Sequence, residues 1–136
     1  MLLFSLVVLV GCKGNDERKL EHLTAYWEIH QVKKNKTLIK DFSISTTIDY
    51  FELTDSLQGF RKKVSPTLDG KFMVNEHQID FKLLFENDSL NIYYQQDNIV
   101  TKETILKVNE NELIIANSLG FEYLYKPFQP LNFDNE

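Results

Sequence analysis

Ile79-Asp80-Phe81-Lys82-Leu83-Leu84-Phe85 is the stretch whose pattern decides the fold. Apolar residues recur at every second position, with Asp80, Lys82 and Leu84 between them. Side chains alternate across a strand with period two, whereas a helix would bring every third or fourth residue together. The stretch therefore predicts a β-strand with Ile79, Phe81, Leu83 and Phe85 together on one face.

The same period extends in both directions. Trp27 and Ile29 alternate with Glu28 and His30, and Phe51 and Leu53 with Tyr50 and Glu52. Phe60, Lys62 and Val64 alternate with Arg61 and Lys63. Downstream, the runs are Leu90, Ile92, Tyr94; Thr104, Leu106, Val108; Leu113, Ile115; and Phe121, Tyr123, Tyr125. Turn-forming residues separate the runs: Leu68-Asp69-Gly70, Asn75-Glu76, Glu86-Asn87-Asp88-Ser89, Asp97-Asn98, Asn109-Glu110-Asn111 and Asn117-Ser118-Leu119-Gly120. Eight or nine short strands at this spacing predict an all-β, antiparallel meander, in a sandwich or a barrel. About eight strands suffice to close a small barrel and remove its exposed edges. Residues 33–47 are less regular and fit a long loop, a short helix or an edge strand.

Upstream lies a different kind of segment. Residues 1–10 are apolar except for Ser5, about half the roughly 20 residues needed to span a bilayer. The run ends at Leu9-Val10-Gly11-Cys12. A small residue before a cleavage point is the pattern of a signal peptide, and these residues alone also fit an ordinary one, or a free thiol. The four positions resemble a bacterial lipobox. That resemblance implies cleavage before Cys12, a thioether-linked diacylglycerol on its thiol and acylation of the new amino terminus. More than one acyl chain is what stable anchoring takes. The implied division is a signal peptide over 1–11, a tether over 12–22, a β domain over 23–127 and a tail over 128–136. Asp16-Glu17 with Lys13 resembles the surface-export signal of Bacteroidota lipoproteins; a solvated linker is the plainer reading.

Composition narrows the classes further. Removing eleven of 136 residues leaves 125, enough for one domain with one core. The single cysteine allows no disulfide within the chain. The net charge of −5 and the absence of a long basic block speak against a nucleic-acid partner.

Three features together resemble the lipocalin-like lipoproteins of Bacteroidota. They are Trp27 in the first strand, Gly59-Phe60-Arg61-Lys62-Lys63-Val64 followed by Pro66 and Asp69-Gly70, and the aromatic last strand from Phe121 to Tyr125. Ala25 stands where that family has a glycine two residues before the tryptophan. The resemblance implies a small eight-stranded barrel with Trp27 buried at its closed end and a basic residue over it, here Lys126. It also implies a lipid-anchored protein of the cell envelope, in the outer membrane, acting as a binding or interaction module. One alternative is a carrier of a small apolar ligand inside the barrel; another is a structural component of an envelope assembly. Two short matches, Asp55-Ser56-Leu57 and Asp88-Ser89-Leu90, resemble the Bacteroidota O-glycosylation acceptor, at Ser56 and Ser89.

Motifs for catalysis are missing from the sequence. There is no Gly-x-Ser-x-Gly, phosphate-cradling glycine loop or His-Glu-x-x-His, and His22, His30 and His77 lack metal-ligand spacing. Carboxylates such as Glu28, Glu52, Asp80 and Glu103 would serve as acid and base only if they converged in a cavity. No enzyme activity, cofactor or metal is expected. Trp27, Tyr50, Tyr94, Tyr123 and Tyr125 are the candidates to line an apolar ligand pocket; equally, they can fill the barrel as core. The number of large aromatics favours a mostly filled interior with a shallow mouth. Arg61-Lys62-Lys63 and Lys33-Lys34-Asn35-Lys36 are candidate contacts for an envelope partner, or solvated faces.

Overall fold

The computed structural model describes residues 18–42, 48–66 and 72–128. After a 3-10 helix at Leu20–His22 come nine strands: β1 (Ala25–Lys34), β2 (Thr37–Asp41), β3 (Ile48–Asp55), β4 (Gln58–Pro66), β5 (Phe72–Glu86), β6 (Ser89–Gln96), β7 (Ile99–Val108), β8 (Leu113–Ala116) and β9 (Phe121–Pro127). Successive strands from β3 to β9 pair antiparallel, and β9 returns to pair with β1. The result is a closed eight-stranded barrel with β2 as an extra strand. β2 and β3 share one edge of β1: β3 lies opposite Ala25–Glu28, and β2 opposite Gln31–Lys34. The irregular piece over 33–47 thus contains an edge strand.

Local chemistry sets the hairpins. Asn35-Lys36, Asn87-Asp88 and Asp97-Asn98 each place two consecutive residues at positive φ. That is the two-residue turn whose twist matches antiparallel strands, and Asn and Asp tolerate it best. Gly120, at φ +88°, closes the β8–β9 turn, where a side chain would also run into Asn35.

One end of the barrel is plugged. Leu23 is fully buried beneath the 3-10 helix, and the Trp27 indole N–H donates to its carbonyl at 3.0 Å. Above them Phe51, Phe81, Leu83, Leu90, Ile92, Ile105, Val108, Leu113 and Ile115 form one continuous core. Burying each such side chain contributes about 1.5–3 kcal/mol. Gly59 lies directly opposite Phe81, and its lack of a side chain admits the Phe81 ring. A Cβ there would meet the Glu52 carbonyl oxygen at 2.1 Å and Phe81 Cζ at 2.8 Å.

Several expectations need correction. Phe81 and Leu83 are buried and Ile79 packs against the core, but Phe85 is 55% exposed. Beyond Lys82 its strand has no paired β4 neighbour, and Arg18 lies over its ring instead. The Asn75-Glu76 turn signal falls inside β5, where a register shift against β4 absorbs the extra residues. In β7 a second shift, between Ile105 and Lys107, changes the phase: Ile105 and Val108 are buried and Leu106 is exposed. Lys126 is exposed opposite Glu28 and does not cover Trp27. Structure also begins before Leu23: Arg18 bridges Val108, and the Lys19 N–H donates to the Val108 carbonyl. The expected signal peptide, Cys12, the expected turn at Leu68-Asp69-Gly70 and the end of the expected tail lie outside the described residues.

Candidate functional site: a charged layer under the barrel mouth

The inner face of β4 carries Gly59 and, two residues on, Arg61. The same alternation turns Asp49 inward from β3, two residues before Phe51, and Glu103 inward from β7 opposite Ile92. Tyr94 on β6 and Tyr125 on β9 complete the ring. All of them converge on the Arg61 guanidinium.

Arg61 Nη1 donates to the Tyr94 hydroxyl at 2.9 Å and to Glu103 Oε1 at 3.4 Å. Nη2 donates to Asp49 Oδ2 at 3.2 Å and to the Tyr125 hydroxyl at 3.1 Å. Below, the guanidinium lies over the Phe51 ring, 4.8 Å from its centroid, a cation–π contact. The Asp49 side chain is only 10% exposed, and its Oδ1 is buried with no hydrogen-bond partner. One cation thus faces two carboxylates in a water-poor site.

Such a site perturbs its members. For Arg61, burial works against the charge, but Tyr94, Tyr125, Asp49 and Glu103 outweigh it and raise its pKa well above the usual value. Burial pushes the Tyr94 hydroxyl far above the usual tyrosine range, opposed by Arg61 and assisted by Glu103. Tyr125 is raised in the same way. The two phenols therefore remain neutral hydrogen-bonding groups at any ordinary pH.

Above this layer a cavity of about 290 Å³ opens towards solvent. Arg61, Tyr94 and Glu103 line it from the layer, with Ile79, Gln96, Thr101, Lys62 and Lys63 around it. It offers one apolar wall, several hydroxyl and amide groups, and charges of both signs. Both carboxylates engage the same guanidinium, so neither is set up as one half of an acid–base pair. Among the described residues, no group of three or more His, Cys, Asp or Glu gathers to hold a metal ion.

The expected pocket residues divide. Tyr94 and Tyr125 meet at Arg61. Trp27 is core at the plugged end, 1% exposed. Tyr123 is half-buried against the core and stacks on Phe121. Tyr50 is a correction: it lies outside the barrel, stacked on Tyr26 at 4.5 Å and edge-on to Phe60. There burial and the hydrogen bond it donates to Glu52 raise its pKa to about 12. The basic run also divides, with Arg61 inward and Lys62 outside over the Phe60 ring. Sequence reasoning missed Asp49 altogether and did not give Arg61 its face. The usable signal was phase, since Asp49 shares that of Phe51 and Leu53.

No family model and no curated protein matches the chain. Among solved structures, a lipocalin-like protein from Bacteroides uniformis is similar over 79% of this chain and 99% of its own, at 8% identity and a TM-score of 0.48. Apocrustacyanin C2 is similar over 82% of this chain and 64% of its own, at 14% identity and a TM-score of 0.42. At these identities the likeness is one of fold alone.

Proposed function

We propose that this chain is a lipid-anchored binding protein of the cell envelope, held in the outer membrane through Cys12, whose barrel takes one small amphipathic ligand at its mouth. The observation that carries the reading is the 290 Å³ cavity floored by Arg61 and its partners. A polar group entering it meets donors and acceptors already in place, which lowers the cost of binding. Apolar atoms would rest against Ile79 and the Tyr94 ring. Below the layer the interior is filled by core side chains. An apolar ligand held deeper would have to displace them, so the carrier of a small apolar ligand in the barrel interior is the weaker alternative. The anchor is supported by the lipobox-like Leu9-Val10-Gly11-Cys12 at the end of the apolar run.

Two measurements test this. Mass spectrometry of the mature protein should find a diacylglycerol-modified amino-terminal Cys12, abolished by Cys12→Ser; an unmodified chain retaining residues 1–11 rejects the anchor. Titration with octylamine, octanoate and octanol, followed by NMR at Tyr94 and Thr101, should give a saturable one-to-one shift with at least one of them. Retinol, too large for the cavity, should leave Trp27 emission unchanged. A stoichiometric change in that emission would instead mean that the core opens.

A further inference from the structure

The outer wall of the barrel carries a second concavity, an open groove of about 590 Å³ across β4, β5 and β6. Apart from Gly59 and Phe81, which reach it from the core side, its side chains are those that alternate outward. Gln58 lies opposite Lys82 and Phe60 opposite Asp80; on the other side Asp80 faces Gln95 and Lys82 faces Tyr93. Neighbouring strands are about 4.8 Å apart, so these groups form a regular checkerboard.

The chemistry of that board is specific. Gln58, Gln78 and Gln95 each present both a donor and an acceptor. The Gln78 side-chain amide donates to Asp80 Oδ1 at 2.9 Å, which fixes the orientation of both. Asp80 and Lys82 cancel in charge. Phe60 and Tyr93 are half-buried, and the Tyr93 hydroxyl is held by Glu86. Lys62 lies over the Phe60 ring, so the flat apolar face among the amides is that of Tyr93, with the exposed Leu84 and Val100 beside it.

We infer that this groove binds a neutral oligosaccharide. Sugar hydroxyls need donors and acceptors side by side, and the C–H face of a pyranose ring packs on an aromatic ring. Asp80 offsets Lys82 and leaves Lys62, opposite Gln78, as a single cation on this face, too little positive charge to hold a polyanion. An added peptide strand has nothing to pair with, because β4, β5 and β6 are each hydrogen-bonded on both edges. Lipid chains would leave the amides without partners. The groove lies on the opposite side of the wall from Arg61, so the inference is independent of the mouth.

The test uses the full isotopically labelled chain in micelles of a sugar-free detergent. Cellohexaose, maltohexaose, xylohexaose and mannohexaose are titrated separately, with a neutral hexapeptide as control. At least one sugar should shift the side-chain amides of Gln78 and Gln95 saturably while Thr101 stays still. Gln78→Ala and Tyr93→Ala should each weaken that binding tenfold or more with unchanged circular dichroism, and Thr101→Ala should have no effect. The proposal is overturned if no sugar shifts these amides at millimolar concentration, if binding survives both groove variants, or if the hexapeptide binds there instead.

Discussion

Arg61 is a buried cation with more partners than most residues in this chain, and its removal should be felt accordingly. Arg61→Leu would leave Asp49 and Glu103 facing each other without a counter-charge. Breaking a buried ion pair from one side costs about 3–5 kcal/mol, so urea denaturation should show a loss of that size. Asp49→Leu in the same chain should restore much of it, because an apolar pair of similar volume carries no desolvation penalty. If the double variant is as unstable as the single one, the layer is not held by the pair. The tyrosines give a second check, with a definite sign. Tyr94 and Tyr125 have pKa values raised by folding, so their contribution is complete below the ordinary value of about 10. It is lost as pH rises above that value, because the unfolded chain then releases protons that the folded one retains. Stability should therefore fall steadily above pH ~10. Absorbance at 295 nm should show Tyr94 and Tyr125 ionising late, and Tyr94→Phe should reduce the slope. Tyr94 and Tyr125 were legible as candidates, but their charged partners were not. Asp49 and Arg61 look like surface charges in a one-dimensional reading, and only the phase of their strands turns them inward.

Among the elements, β5 tests how far alternation alone can be trusted. Its reading succeeded at Phe81 and Leu83 and failed at Phe85, because periodicity gives the face of a residue but not its height in the barrel. Phe81→Ala should cost about 3–5 kcal/mol, whereas Lys82→Ala and Phe85→Ala should each cost less than about 1 kcal/mol. Comparable losses at Phe81 and Phe85 would contradict the placement of the barrel end. Across the strand pair, Gly59→Ala should lose about 1–3 kcal/mol through overpacking. The close neighbour is the Glu52 backbone carbonyl, which has little freedom to withdraw. Turn chemistry was legible where two residues had to adopt positive φ, as at Asn87-Asp88 and Asp97-Asn98. It misled at Asn75-Glu76, where the same residue types accompany a bulge. Bulges also hid the true phase of β7. They depend on how a partner strand is paired, and that information lies far away in sequence.

For the molecule as a whole, an antiparallel all-β fold and about eight strands followed from spacing, while the closing pair β1–β9 joins segments nearly a hundred residues apart and needed the structure. The two ends of the barrel differ in kind. At the plugged end, Arg18 bridges Val108 and donates to the Asp88 carbonyl at 2.6 Å. At the open end Leu38, Ile39, Ile99 and Leu119 are exposed. Arg18 also marks where the described chain enters the barrel, only six residues after Cys12. Six residues reach at most about 20 Å. With a lipid on Cys12, that leash is short. Such an anchor would favour a barrel standing base-down on the bilayer, with its cup and the apolar rim directed away from the leaflet that holds it. In vesicles bearing the lipidated chain, a bulky thiol reagent should label Asn98→Cys faster than Asp88→Cys. Equal rates, with Cys12 still lipidated, would mean that the barrel lies on its side. In the base-down orientation, a ligand in the mouth would be exchanged with whatever faces the membrane, and not with the membrane itself.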